Sequence, residues 1–262
     1  MRPLALVSAC LLLAAEPPLP RDYAVSRALR AGVVLAFLVP AALAAQAPPA
    51  PARPPVERVA LAPVPLRLAP SLLESSPAGW IDVQPGPDLG GWTRQPWPAT
   101  AALGPQQWSV DPATGHLVCD GKGGHEWLRL EGERADAALH LEWRFIHVEG
   151  ADKYNSGVLV RTATDLSAWH QAQVGIEGGF LFGVTPVGGV VKRVTQKAAA
   201  ARVRPAGEWN CYELVARGRT LSLWVNGAVT SEISVDVPRG HFGLEAEGWR
   251  IEFRNLRVKG LD

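Results

Sequence analysis

The segment ALHLEWRF, residues 138–145, alternates apolar and polar side chains along its length. Neighbouring side chains of a β-strand point to opposite faces of a sheet, so the two sets are expected on opposite faces. The apolar set is Leu141, Trp143 and Phe145, and the polar set is His140, Glu142 and Arg144. The segment therefore predicts a strand with one face buried in a core.

The same alternation recurs along the chain between turn-forming residues. The further segments span 156–163, 170–176, 210–218, 219–230, 240–246 and 249–261. Gly218 after Arg217 and the pair Asn226-Gly227 are typical of hairpin turns. Only residues 192–204 are compatible with a short helix. Many short strands at regular spacing predict an all-β fold, either an antiparallel sandwich or a jelly roll.

Composition restricts the possible partners. The 262-residue chain has a formal net charge of +1 and contains no cluster of basic residues. Neither a nucleic acid nor an anionic membrane surface is therefore expected as a partner. The 26 glycines and 10 tryptophans, against one methionine, favour turn-rich β structure over a helical bundle.

The first 47 residues differ in composition from the rest. Arg27 and Arg30 precede an apolar run, which ends at the small-residue site Ala42-Leu43-Ala44. This order is typical of a secretory signal peptide cleaved after Ala44, and a translation start later than Met1 is an open alternative. The run is too short for a membrane span. The mature protein is thus expected to be exported, to the periplasm or beyond, without a stable membrane span.

Residues 48–78 are rich in proline and alanine and are predicted to be a linker outside the fold. The predicted domain is 79–262. Removal of the signal would leave Cys119 and Cys211, and an exported compartment permits a disulfide between them. A bridge and two separate thiols are equally compatible with the sequence.

Sorting residues by strand face collects a polar set across several strands. Its members are His140, Glu142, Arg144, Asn155, Arg161, Gln171, Gln173 and Glu245. Amides, carboxylates and guanidinium groups offer the directional hydrogen bonds that a hydroxyl-rich ligand requires. The alternative is an ordinary solvated face, which antiparallel sheets usually possess. The recurrence of amides and paired charges favours a saccharide ligand.

Short blocks in a fixed order resemble the 3-keto-disaccharide hydrolase domain family, which is common in secreted bacterial proteins. They are GWID at 79–82, DLGGW at 88–92, GHLVCDG at 115–121, LEWRF at 141–145, NSGVLVR at 155–161, GFLFG at 179–183, PAGEWN at 205–210, WVNG at 224–227 and FRNLRV at 253–258. The resemblance covers essentially all of residues 79–262. It implies a concanavalin A-like jelly-roll sandwich of two antiparallel sheets, whose concave face handles carbohydrate.

Two departures from the family pattern concern acidic residues. Gln171 stands where the family often has an acid, and Glu245 and Glu247 stand in a segment where the family often has an amide and a histidine. A carboxylate lost at one place and gained at another leaves three alternatives open. These are relocated chemistry, a different substrate, or no catalysis.

The substrate class implied by the resemblance suggests a mechanism. The ketone of a 3-keto sugar acidifies the C2 proton, and a base together with an electrophile could then expel the aglycone before water adds. The predicted catalytic residues are Glu142, Arg161, Arg144 and Glu245. The predicted substrate-binding residues are Asn155, Gln171, Gln173, Trp224, His140 and Glu247. Glu142 and Glu245 could alternatively serve as the two carboxylates of an ordinary glycosidase.

No metal or other cofactor is predicted, because the six histidines show no metal-ligand spacing. Calcium held by scattered oxygens is an open alternative. The sequence thus predicts a secreted carbohydrate-active enzyme that cleaves the glycosidic bond of a 3-keto or otherwise modified disaccharide. A non-catalytic, lectin-like binding module is the main alternative, and a surface interaction domain without a sugar ligand is the third.

Overall fold

The computed structural model describes residues 56–175 and 177–261, and these form two β-sheets. The signal-peptide prediction and residues 48–55 of the predicted linker lie outside the described residues. The eight-stranded sheet has the spatial order β1 (Glu57–Leu61), β12 (Val190–Gln196), β11 (Leu181–Val187), β10 (Trp169–Gly175), β9 (Asn155–Thr162), β16 (His241–Ala246), β7 (Glu126–Leu130) and β4 (Trp92–Pro96).

The nine-stranded sheet lies on the other side of the core. Its order is β2 (Arg67–Leu68), β15 (Ala228–Ser234), β14 (Thr220–Val225), β13 (Asn210–Arg217), β8 (Ala137–Phe145), β17 (Ile251–Gly260), β6 (Leu117–Cys119) and β5 (Trp108–Val110), and β3 (Ile81–Asp82) pairs with β17. Every strand pair is antiparallel except β1 with β12. The predicted sandwich is confirmed.

The core is built from the inward faces of both sheets. Trp143 and Phe145 of β8 are buried together with Val158 of β9 and Leu244 of β16. The alternation in residues 138–145 is thus a true strand signal. The turns at 218–219 and 226–227 join β13 to β14 and β14 to β15, as predicted. Residues 192–204, which were compatible with a short helix, do not form one, because β12 occupies the first part and the rest is irregular.

The predicted linker is not separate from the fold in the residues that the structure describes. β1 pairs with β12 at one edge, and β2 pairs with β15 at an edge of the other sheet. Between β2 and β3, the helix α1 (Leu72–Ser75) has a capping box formed by Ser71 and Glu74. No helix of the described residues has the length and apolarity needed to cross a membrane.

A buried carboxylate fixes α1 to the nine-stranded sheet. Glu213 of β13 accepts hydrogen bonds from the backbone N–H groups of Leu72 (2.5 Å) and Leu73 (2.9 Å). His140 of β8 contacts the same carboxylate at 2.9 Å. The proline-rich composition of this segment is therefore compatible with docking, because the Glu213 side chain fixes α1 without a regular strand there.

We expect a chain of residues 79–262 to be less stable than one of residues 53–262. Truncation removes β1, β2 and α1 together with the two backbone donors of Glu213, and losing these hydrogen bonds alone should cost about 1–3 kcal/mol. Thermal and urea denaturation of the two chains would measure the difference. Glu213→Gln should destabilise the long chain more than the short one, and equal unfolding midpoints of the two chains would contradict the docking.

Both cysteines within the described residues are free thiols. Cys119 lies buried in β6, and Cys211 lies in β13. Burial raises the pKa of each thiol to about 12. A bridge between them is excluded because β17 and β8 lie between β6 and β13, and the raised pKa values make neither thiol suited to react as a thiolate.

Candidate functional site

The outward face of the eight-stranded sheet forms a cleft of about 450 Å³. Outward-facing side chains of the strands line the cleft, because every second residue of each strand points away from the core. The lining residues are Trp97, His125, Asn155, Trp169, Gln171, Gln173, Phe180, Phe182, Arg193, Thr195, Lys197, Glu245 and Glu247. Five of the ten predicted site residues are therefore brought together here: Asn155, Gln171, Gln173, Glu245 and Glu247.

One histidine and two carboxylates form the centre of the cleft. His125 precedes β7, Glu245 lies on β16, and Glu247 follows that strand. One polar atom from each of the three side chains lies within 4.8 Å of the other two. The His125 Nε2 and Glu245 Oε1 atoms are 2.8 Å apart, with Glu245 almost fully buried. This cluster combines groups that can accept and donate protons.

Three amides orient the two carboxylates. Gln171 Nε2 donates to Glu245 Oε2 at 2.7 Å, and Asn155 Nδ2 donates to Glu247 Oε2 at 2.5 Å. Gln173 Nε2 in turn donates to Asn155 Oδ1 at 2.5 Å. The acid replaced by Gln171 is thus compensated, since this amide contacts the carboxylate gained at position 245.

Gly157 allows the contact between Gln171 and Glu245. These residues lie on β10 and β16, and β9 runs between those strands. A Cβ atom at position 157 would lie 2.0 Å from the Gln171 Nε2 atom. Only glycine therefore lets the amide pass over β9 to the carboxylate, which gives the turn-like sequence Asn155-Ser156-Gly157 a role in the site.

The environment shifts two pKa values within the cluster. Burial lowers the affinity of His125 for a proton, but the hydrogen bond that it donates to Glu245 and the charges of Glu245 and Glu247 outweigh this effect, and its pKa is raised. Burial and the neighbouring Glu245 charge raise the pKa of Glu247, against the opposing effect of His125. Protons thus bind more readily here than at exposed groups of the same type.

The same three side chains could hold a divalent cation. One imidazole nitrogen and two carboxylate oxygens suit ions such as Mn²⁺ or Zn²⁺. The amides of Gln171 and Asn155 already fix the carboxylates, as outer-sphere groups do in metal sites. The donor set therefore fits a cation, which sequence spacing did not indicate.

Four predicted site residues lie on the opposite side of the sandwich. Glu142, Arg144 and His140 are on β8, and Trp224 is on β14, all in the nine-stranded sheet. The prediction that they share a face with Glu245 is wrong, because alternation assigns a residue to a face of its own sheet but does not show which sheet that is. The pairing of Glu142 with Glu245 as glycosidase carboxylates is likewise excluded.

These four residues form structural contacts within the described residues. Glu142 pairs with Arg254 at 2.7 Å, and Arg144 pairs with Glu252 at 2.9 Å. The Trp224 indole donates to the Ala69 carbonyl at 2.8 Å, which helps to fix the segment before α1. Their polar groups thus stabilise the nine-stranded sheet and its contact with the segment before α1.

Arg161 lies at the end of β9 but does not line the cleft. Its side chain is buried, and it donates to the carbonyls of Ala135 (3.1 Å), Gly218 (2.5 Å) and Val237 (3.1 Å) and to Asp136 (2.9 Å). Its backbone φ of 44° lies in the left-handed region. The proposed enolate-stabilising role is therefore incompatible with its position, and its contacts are those of a structural arginine.

Sequence reasoning missed His125, most of the aromatic lining and the basic lining. His125 stacks on Trp97 at 5.1 Å, and Trp169 lies edge-on to Trp97 at 5.3 Å. β11 and β12, which carry Phe182 and Arg193, were not predicted as strands. The β-branched residues in 190–196 were the signal that could have indicated β12.

Comparison with known proteins bears on the family and the fold. Residues 79–259 match the 3-keto-alpha-glucoside-1,2-lyase-like domain family. No curated protein matches the chain. Among solved structures, a proposed glycosyl hydrolase from Parabacteroides distasonis is 16% identical, with a TM-score of 0.51, over 72% of this chain and 97% of its own. A carbohydrate-binding module, CBM66 from Bacillus subtilis, is 13% identical, with a TM-score of 0.47, over 65% and 96%.

Proposed function

This chain belongs to the 3-keto-alpha-glucoside-1,2-lyase-like domain family, and we propose that it cleaves the glycosidic bond of a 3-keto glycoside by removing the proton on C2. The observation that carries the proposal is the cluster of His125, Glu245 and Glu247 in the cleft of the eight-stranded sheet. The fold shared with the P. distasonis protein, itself named a proposed glycosyl hydrolase, agrees with a carbohydrate-related function.

The reaction requires a base and an electrophile. The ketone at C3 acidifies the C2–H bond, and removal of that proton gives an enolate. When the enolate collapses, the C1–O bond breaks with its electron pair, the aglycone takes up a proton, and a C1=C2 double bond remains in the sugar. Addition of water across that bond, with the hydroxyl on C1 and the proton on C2, gives the free 3-keto sugar.

Glu247 is the best-placed base. Its Oε2 atom accepts from Asn155, while its Oε1 atom has no hydrogen-bond partner among the described residues. Glu245 is less suited, because Gln171 engages one of its oxygens and His125 lies against the other. We assign Glu247 the removal of the C2 proton, and Glu245 the orientation of His125.

His125 supplies the electrophile. The charge of Glu245 at 2.8 Å favours its protonated form, and an imidazolium beside the ketone oxygen would stabilise the enolate. It takes the place that was predicted for Arg161. A divalent cation held by His125, Glu245 and one oxygen of Glu247 would supply the same electrophilic charge, with the other Glu247 oxygen left to accept the proton.

The proposal is tested by incubating residues 53–262 with 3-keto and unmodified disaccharides and following released sugar. Release of sugar from the 3-keto substrates, with none from the unmodified disaccharides, supports the proposal. Saturable binding of sugar without release from any substrate would sink the catalytic proposal. That result would instead support a lectin-like module, an alternative favoured by the aromatic wall of the cleft.

We expect the chain to bind Mn²⁺ or Zn²⁺ at one site per molecule, measured by isothermal titration calorimetry after treatment with a chelator. His125→Ala and Glu247→Gln should each weaken binding about 10-fold or more, because each removes one of only three protein ligands. Glu142→Gln is the matched control, since its carboxylate lies on the other sheet. Equal affinity in all four proteins would exclude the cation from the cluster.

A further inference from the structure

A continuous row of aromatic rings leads away from the catalytic cluster. Trp97 stacks on His125 at 5.1 Å with an interplanar angle of 16°. Trp169 follows at 5.3 Å from Trp97, Phe182 at 5.5 Å from Trp169, and Phe180 at 5.7 Å from Phe182. The row begins where a glycosidic bond would be cleaved, so a leaving group would extend along it.

Two cations lie over this aromatic row. The Arg193 guanidinium carbon is 5.5 Å from the ring centroids of both Trp169 and Phe182. The Lys197 Nζ atom is 4.5 Å from the centroid of Phe180. Both cations come from β12 and its C-terminal end, on the side of the cleft lined by Thr195.

Arg193 has no counter-charge in the described part of the chain. Its guanidinium forms neither a hydrogen bond nor an ion pair there, although it faces the cleft. Its strand neighbour Lys192 is instead paired with Glu57 at 3.0 Å. The rings hold the Arg193 guanidinium by cation–π attraction, with its donors available to a ligand.

Charge is thus distributed unequally along the cleft. Glu245 and Glu247 lie at the end that holds the reacting sugar, and Arg193 and Lys197 lie at the other end. Lys197 pairs with Glu177 at 3.8 Å, so a neutral disaccharide could stack on the rings but would leave Arg193 without a partner among the described residues. A flat ring bearing a carboxylate would use the ring faces and also form a bidentate pair with the guanidinium.

We propose that this aromatic row binds the leaving group of the substrate and selects an aromatic leaving group that carries a carboxylate. The inference rests on the proposed function, because it takes His125 and Glu247 as the point of bond cleavage. It adds the chemical class of the aglycone, which neither the fold nor the family match specifies.

The test compares two 3-keto glucosides, one of 4-hydroxybenzoate and one of 4-hydroxybenzamide, which differ in one charge. We expect the wild-type chain to prefer the carboxylate in kcat/KM by about 10-fold or more, as a charged hydrogen-bond pair allows. Arg193→Gln should reduce this preference to nearly the intrinsic ratio of the two leaving groups. Lys192→Gln, the matched control, should retain the preference.

A second measurement separates this inference from the proposed function. Binding of free 4-hydroxybenzoate is followed by quenching of tryptophan fluorescence, which needs no catalysis. Binding that Arg193→Gln weakens about 10-fold, in a chain that cleaves neither glucoside, would support the aromatic row as a site for an aromatic carboxylate while the proposed reaction fails. Equal kcat/KM for both glucosides, unchanged in Arg193→Gln, would overturn the inference.

Discussion

Glu247→Gln will reduce kcat for a 3-keto glycoside about 10²- to 10⁴-fold, the range expected when a general base is lost. Glutamine keeps the size of the side chain and can still accept the hydrogen bond from Asn155 through its amide oxygen. The variant should therefore fold normally and bind substrate with nearly unchanged affinity. Initial rates and KM measured on one substrate would show the loss in kcat alone.

The control for Glu247→Gln is Glu142→Gln. Glu142 pairs with Arg254 on the outer face of the nine-stranded sheet, away from the cleft. We expect its replacement to leave kcat within about twofold of the wild-type value, as for a surface change remote from the reaction. Loss of turnover in Glu142→Gln with full activity in Glu247→Gln would place the reaction on the other sheet.

Arg161→Met will destabilise the fold by about 1–3 kcal/mol, the cost of losing a buried donor that makes several hydrogen bonds. The substitution leaves the carbonyls of Ala135, Gly218 and Val237 without their donor and removes the partner of Asp136. Urea denaturation followed by circular dichroism would measure the change. If the variant does not fold, Arg161→Lys provides the measurement, with a smaller loss, because one ammonium cannot reach all the acceptors.

Activity separates the structural role of Arg161 from the predicted catalytic one. Below its unfolding temperature, the folded Arg161 variant should keep its kcat, because the side chain does not line the cleft. A stable variant with strongly reduced kcat would restore the catalytic assignment and contradict the buried position.

The sandwich could be predicted because the alternation of apolar and polar residues is a local property, which can be seen within each strand. Residues 138–145 showed which side chains point inward, and burial of Trp143 and Phe145 confirms it. The site depends instead on which strands become neighbours, and that is not local. Glu142 and Glu245 have the same alternation signal, but β8 and β16 belong to different sheets.

The contacts of His125 and Arg161 show the same limitation. His125 lies in a loop without periodicity and meets Glu245, 120 residues later, only through the pairing of β7 with β16. Arg161 follows the strand pattern of β9, but a left-handed backbone conformation turns its side chain away from the cleft. Neither contact has a signature in residue spacing, whereas Gln171 and Glu245 were both indicated by residue type, as departures from the family pattern.

The central claim is that the cleft removes the C2 proton, and a reaction in D₂O tests it most directly. A 3-keto glycoside would be incubated with the chain, and the released sugar would be analysed at early times by NMR, against an enzyme-free control. We expect either deuterium at C2 of the released sugar or the unsaturated sugar with its C1=C2 bond. The Glu247→Gln variant should form both products much more slowly. Released sugar that retains its original C2 hydrogen would show direct hydrolysis and contradict the proposed mechanism.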